Sequence, residues 1–189
     1  MDKAKIEKSV RLLLEGIGES PDREGLLDTP RRVADMYEDI LAAESEDLLS
    51  IVAPIGSDTH QEMVLVRDIT FHSLCEHHLL PFYGVAHVAY IPSKNGSITG
   101  ISKIVRLVRT VAARLQLQER LTSTIADTLV QSLHPSGVLV LIQAEHLCMS
   151  MRGVRAPGSL VVTSAVRGLF HTNAASRAEV LALIEAPKA

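Results

Sequence analysis

At Met63 the apolar residues of this chain change from a helical spacing to a period of two, and that switch restricts the fold class. Before it, Ile6, Val10, Leu13, Leu14 and Ile17 recur as on one face of a helix, with Gly16 and Gly18 as a stop. A second helix is expected from Asp28-Thr29-Pro30, with Thr29 as N-cap, Pro30 at the first helical position, and Val33, Tyr37, Ile40 and Leu41 as its buried stripe. Residues 44–60, with Pro54 and Gly56, carry little periodicity and read as a link. Then Met63, Leu65, Arg67, Ile69 and Phe71 alternate with Val64, Val66, Asp68 and Thr70, which predicts a strand with the first set on one face. A second strand is expected over residues 83–91. Two helices follow, one from near Ser102 with Ile104, Val108, Val111 and Leu115, the other carrying Leu121, Ile125 and Leu129. After a turn at His134-Pro135-Ser136-Gly137 come a long strand over residues 138–151 and another over 160–167. Ser176 and Glu179 suggest a capping box for a last helix through Leu183. Strand pair, helix pair, strand pair is an α+β layout: an antiparallel sheet with two long helices on one face. The expected division is an N-terminal helical segment and link over 1–58 and a main domain over 59–189.

Composition narrows the function classes. The chain has 189 residues and no tryptophan, so its core must come mainly from Val, Leu, Ile and Ala. A net charge of -3 argues against a general nucleic-acid binder, which needs a broad basic face. No signal-peptide pattern is recognised, and no apolar run is long enough for a membrane span. Two cysteines, Cys75 and Cys148, are too few for a disulfide scaffold and suit a reducing compartment. The expectation is a cytoplasmic protein with no membrane or nucleic-acid partner.

The chemistry gathers around those cysteines. Cys75 and His78 are three apart in a tight segment and offer thiolate and imidazole, the preferred ligands of zinc; alone, such a pair is better explained by a buried thiol beside surface histidines. On an extended strand, His146, Cys148, Ser150 and Arg152 would share one face, a poor set for a core. Cys75, His78 and Cys148 would then make three ligands with no fourth, and an open position marks a catalytic rather than a structural zinc. His77 and His146 are left for proton transfer. Lys103 and Arg106, on the first turns of a helix, read either as an anion site for phosphate or as a solvated basic edge; Arg152 favours the former. Gln118-Glu119-Arg120 lies where one helix gives way to the next. Glu119 is there either a helix-start residue or a reader of a guanine edge, since one carboxylate accepts from both N1–H and the 2-amino group.

Several blocks together resemble the GTP cyclohydrolase I family. They are Asp22-Arg23-Glu24-Gly25-Leu26-Leu27-Asp28-Thr29-Pro30, Cys75-Glu76-His77-His78, Tyr90-Ile91-Pro92, Gly100-Ile101-Ser102-Lys103-Ile104, Gln118-Glu119-Arg120-Leu121-Thr122, His146-Leu147-Cys148 and Met151-Arg152-Gly153. The resemblance spans about residues 10–185 and departs at Val85, where the family often has lysine, and in the loop from Val154 to Gly158. It implies zinc held by Cys75, His78 and Cys148, proton transfer by His77 and His146, and guanine held by Gln118 and Glu119. Lys103, Arg106 and Arg152, with Ser102 nearby, would bind the triphosphate, and Arg32 would reach that of a neighbouring subunit. The implied fold is the tunnelling fold, with sheets of several subunits joined into a barrel in a homodecamer of two pentamers. The implied substrate is GTP, opened hydrolytically at C8, with C8 lost as formate and closure to 7,8-dihydroneopterin triphosphate, the start of pterin and tetrahydrofolate synthesis. Two other readings compete: another tunnelling-fold enzyme acting on a pterin or deazapurine, and a non-catalytic nucleotide-binding protein with a structural zinc.

Overall fold

Period-two alternation in the middle and late parts of the chain builds a five-stranded sheet that carries the chemistry-bearing residues at its ends. The computed structural model describes residues 1–42, 47–55, 60–94 and 97–187. Gly56 and the boundary expected at 58/59 lie outside the described residues. The chain forms two compact units, Met1–Glu44 and Ser45–Ala189.

The smaller unit holds α1 (Lys3–Gly16), a 3-10 turn (Glu24–Leu26) and α2 (Thr29–Ile40). The Asp2 side chain caps α1 by accepting from the Lys5 amide, and Gly18, at φ 86°, takes the left-handed conformation just past its end. Lys3 Nζ bridges Asp35 at 2.7 Å and Glu38 at 2.8 Å, tying α1 to α2. Helix α2 begins at Thr29 itself, one residue earlier than expected, with Asp28 in the cap position. Its buried residues are Pro30 and Ala34; Ile40, expected in the stripe, is exposed.

The larger unit begins with a short helix inside the expected link, α3 (Leu48–Ile51), whose Ile51 enters the main core with Val52. Strands β1 (Val64–Cys75), β2 (Pro81–Ile91), β3 (Leu115–Gln116), β4 (Gly137–His146) and β5 (Leu160–Gly168) run in the order β3-β1-β2-β4-β5. All pairings are antiparallel except the two-residue β3, which lies parallel to the end of β1, so the sheet is mixed rather than wholly antiparallel. Between the strands come α4 (Ile101–Ala112) and α5 (Gln118–Leu133); α5 closes at His134 in the left-handed conformation, before Pro135. The chain ends with α7 (Leu169–Thr172) and α8 (Ala174–Glu185), after a short α6 (Leu147–Ser150) that leads from β4 toward β5.

Two apolar clusters follow from the pleat of β4. Val138, Val140, Ile142 and Ala144 pack with Ile104, Leu107, Val108, Leu121, Ile125 and Leu129 of α4 and α5. Leu139 and the partly buried Leu141 belong instead with Phe170 and Val180.

Three local expectations need correction. The register of β1 on β2 jumps from Val66↔Val88 to Ile69↔Ala86, so Arg67 and Asp68 together oppose His87. This bulge, with Asp68 at φ 59°, reverses the face: Met63 and Leu65 join one cluster, Ile69 and Phe71 the other. Arg67 is thereby aimed at the end of α8, where it donates to the carbonyls of Leu183, Ala186 and Pro187. The strand expected over 138–151 stops at His146. Its neighbours run out there, because His146 pairs with Phe82 near the start of β2 and Glu145 with Leu160 at the start of β5. Lacking ladder partners, the backbone turns into α6 and satisfies itself locally. Finally, Asn173, not Ser176, caps α8, accepting from the amides of Ala175 and Ser176.

Candidate active site

The β1–β2 hairpin loop makes the first half of the site. The amides of His78 and Leu79 both donate to the Cys75 carbonyl, at 3.4 and 2.9 Å, and the Cys75 amide donates to Leu80. Leu79 takes φ 55° to close this wrap, a conformation that costs a non-glycine residue about 1 kcal/mol. The loop is braced from α5: Arg120 donates to the carboxylate of Glu76, to the Leu115 carbonyl at 2.9 Å and to Gln116 Oε1 at 3.0 Å. Bonding to Arg120 holds the Glu76 carboxyl below the usual carboxylate range. Glu76, Gln116 and Arg120 were given no role from the sequence; the opposite charges in two separate motif blocks were the available signal.

The second half comes from the chain just past β4. Cys148 reaches the site from α6, not from an extended strand face, and its thiol meets Cys75 and His78 with all three ligand atoms within 4.8 Å of one another. Neither cysteine is in a disulfide. Burial, reinforced by the Cys75 sulfur, pushes the Cys148 thiol up, while Arg152 pulls it down. Two thiols crowded together with an imidazole are costly to ionise unless a cation shares them. In a tetrahedral zinc site the bond lengths place ligand atoms about 3.3–3.8 Å apart, so this cluster accepts zinc with a modest closing movement. Among the described residues no fourth Cys, His, Asp or Glu joins the group.

The remaining expected residues fall into separate sets. Arg152 Nη1 donates to His78 Nε2 at 2.8 Å, which places Arg152 at the cluster. His77 is exposed beside it, its ring centroid 6.4 Å from that of His78 and edge-on. His146 stacks on the buried Phe82 with centroids 4.5 Å apart and planes 4° apart, and its Nε2 is 2.7 Å from Gln118 Oε1. Burial holds the His146 imidazole below the ordinary histidine range, with the Glu119 carboxylate acting in the opposite direction. Glu119 lies exposed in the first turn of α5. Ser102 and Arg106 line one groove on α4 with Arg109, whereas Lys103 Nζ is bonded to the Ala53 carbonyl at 3.0 Å. In the smaller unit Arg32 pairs with Asp28 at 3.2 Å and stays largely exposed.

The chain matches the family described as GTP cyclohydrolase I over residues 6–185. It is 60% identical over 184 residues to GTP cyclohydrolase 1 of Carboxydothermus hydrogenoformans, covering 97% of this chain and 95% of that protein. GTP cyclohydrolase 1 of Pelotomaculum thermopropionicum is 61% identical over 184 residues, covering 97% of each. The enzyme of that name from Bacillus subtilis is 59% identical over 181 residues, covering 96% of this chain and 95% of its own. No described helix is long and apolar enough to cross a membrane.

Proposed function

The chain belongs to the GTP cyclohydrolase I family, and on that premise we propose which of its own residues carry each part of the reaction. Its function is that of GTP cyclohydrolase I, the hydrolytic opening of the guanine imidazole ring of GTP with release of formate and formation of 7,8-dihydroneopterin triphosphate. The observation that carries the assignment of roles is the convergence of Cys75, His78 and Cys148, with His146 two residues before Cys148.

We assign zinc to that cluster. When bound, zinc supplies a Lewis acid and brings the pKa of a coordinated water to about 7. Proton movements belong to His77 and His146; because burial keeps His146 neutral near pH 7, its ring is ready to accept a proton. Glu119 holds guanine by accepting from N1–H and the 2-amino group. The triphosphate is bound by Ser102, Lys103, Arg106 and Arg152, Lys103 exchanging the Ala53 carbonyl for a phosphate oxygen. Arg32 completes the site of a neighbouring subunit. The assembly is a homodecamer of two pentamers in the tunnelling fold, and its free thiols suit a reducing cytoplasm.

Zinc content measured together with turnover tests the roles. Wild type should hold zinc, and Cys148→Ser should lose both metal and activity. His77→Ser should keep the zinc and lose roughly 10²–10⁴-fold in turnover, the usual contribution of positioned proton transfer. Full zinc in Cys148→Ser would overturn the ligand set; loss of zinc from His77→Ser would make His77 a ligand.

A further inference from the structure

Gln118 is 1% exposed, and the whole of its side-chain amide is engaged within the protein. Its Nε2 lies 2.9 Å from the Val161 carbonyl, 3.2 Å from the Ile142 carbonyl and 3.1 Å from Thr163 Oγ1. Two of these neighbours are carbonyl oxygens, which only accept, so the amide has one admissible orientation: NH2 toward the sheet and oxygen toward His146. The hydroxyls behind it agree. Thr122 Oγ1 donates to the Gln118 backbone carbonyl at 2.7 Å. With its single proton so used, Thr122 must accept from Thr163 across 2.6 Å, and Thr163 in turn accepts from Gln118 Nε2. The two hydroxyls of this closed ring each have one acceptor, Nε2 shares its two protons among three, and a flipped amide would set its oxygen against two carbonyls.

The consequence falls on His146. Its Nε2 is 2.7 Å from an oxygen that cannot donate, so that nitrogen carries the proton. The neutral ring is then the Nε2–H tautomer, and Nδ1 holds the lone pair. Stacking on Phe82 fixes the ring plane, and the bond to Gln118 fixes its rotation within that plane. We infer that Gln118 is a positioning residue that locks the tautomer and orientation of His146, and that it does not hold guanine through its side chain. The kinetic part of this inference rests on the proton-transfer role of His146; the tautomer does not. Release of Gln118 toward a substrate would orphan an almost fully buried amide.

Magic-angle-spinning NMR on resting zinc-loaded enzyme containing 15N,13C-histidine, with His146→Asn for assignment, should show His146 with a protonated Nε2 and a bare Nδ1. In Gln118→Ala a mixture of tautomers should appear. Its kcat should fall about 10–100-fold, part of the contribution of an aligned acid–base group, with KM for GTP within about twofold, as for an interaction that does not bind the ground state. A protonated Nδ1 in wild type would overturn the inference without any variant having to fold. A raised KM with kcat unchanged would return Gln118 to the guanine site. If His146→Asn were fully active while the wild-type tautomer stood as expected, the role of His146 would fall and the lock would remain.

Discussion

Glu119 is the one acidic residue in the first turn of α5, and its carboxylate is exposed beside His146. An ionised carboxylate only accepts hydrogen bonds, and guanine offers it N1–H and the 2-amino group side by side. Adenine has a bare N1 there and no 2-amino group, so the carboxylate would face a lone pair. Sites that depend on such a donor reject the analogue lacking it by roughly 10⁴–10⁵-fold. ITP keeps N1–H but lacks the amino group, so its specificity constant for ring opening should fall between those of GTP and ATP. Glu119→Gln should narrow the spread, because an amide also donates. Equal discrimination by wild type and Glu119→Gln would move guanine recognition to other groups. At this scale the sequence is most readable: ligand chemistry and family blocks point to Cys75, His78 and Cys148 without any geometry. The partnership of Gln118 with His146 was not readable, since it is defined by Ile142, Val161 and Thr163, which approach only when β4 and β5 pair.

The elements show the same division between local and non-local causes. Strands β1, β2, β4 and β5 and helices α4 and α5 followed from periodicity, which is a local property, except that Leu115, expected in the stripe of α4, lies beyond its end in β3 and is exposed. The end of β4 did not, because Leu147, Met149 and Met151 continue the alternation that elsewhere marks a strand, and only the missing neighbours stop it. The β1 bulge was equally hidden, its extra residue having meaning only against β2. One position in the β2–β4 ladder depends on the close approach of two backbones. A Cβ on Gly84 would stand 1.9 Å from the Gln143 carbonyl oxygen and 2.7 Å from Ala144 Cα, backbone atoms held in register on both sides. Gly84→Ala should therefore lower stability by about 3 kcal/mol, the upper part of the usual overpacking range. Gly16→Ala meets nothing within 4 Å at the end of α1 and should stay within about 0.5 kcal/mol of wild type, as do most open surface changes. Denaturant midpoints of the two variants check this, and equal midpoints would show that β2 and β4 can part without loss.

The sheet of the larger unit ends in two open edges. Among the described residues β5 is last in the order, and β1 meets β3 only at Leu74 and Cys75, leaving most of its length without a neighbour on that side. Leu160 and Val162 on β5 are 59% and 57% exposed in the single chain. Long edges with exposed apolar residues are templates for pairing, and a head-to-tail pairing of two different edges closes a ring when the rotation allows. Sedimentation should therefore find a species many times the 20.5 kDa of one chain, and Leu160→Asp with Val162→Asp should reduce its mass while circular dichroism stays native. A wild type sedimenting as a monomer would end the ring proposal. If Arg32 also serves a neighbour's site, two defective chains should repair each other. An Arg32→Ala subunit keeps its own zinc ligands, and a Cys148→Ser subunit keeps Arg32. In an equal random mixture of heterologous contacts, roughly a quarter of sites would combine an intact cluster with an intact neighbouring arginine. Co-assembled chains should then exceed the mean activity of the two separate variants, and a mixture showing only that mean would place Arg32 outside the neighbouring site.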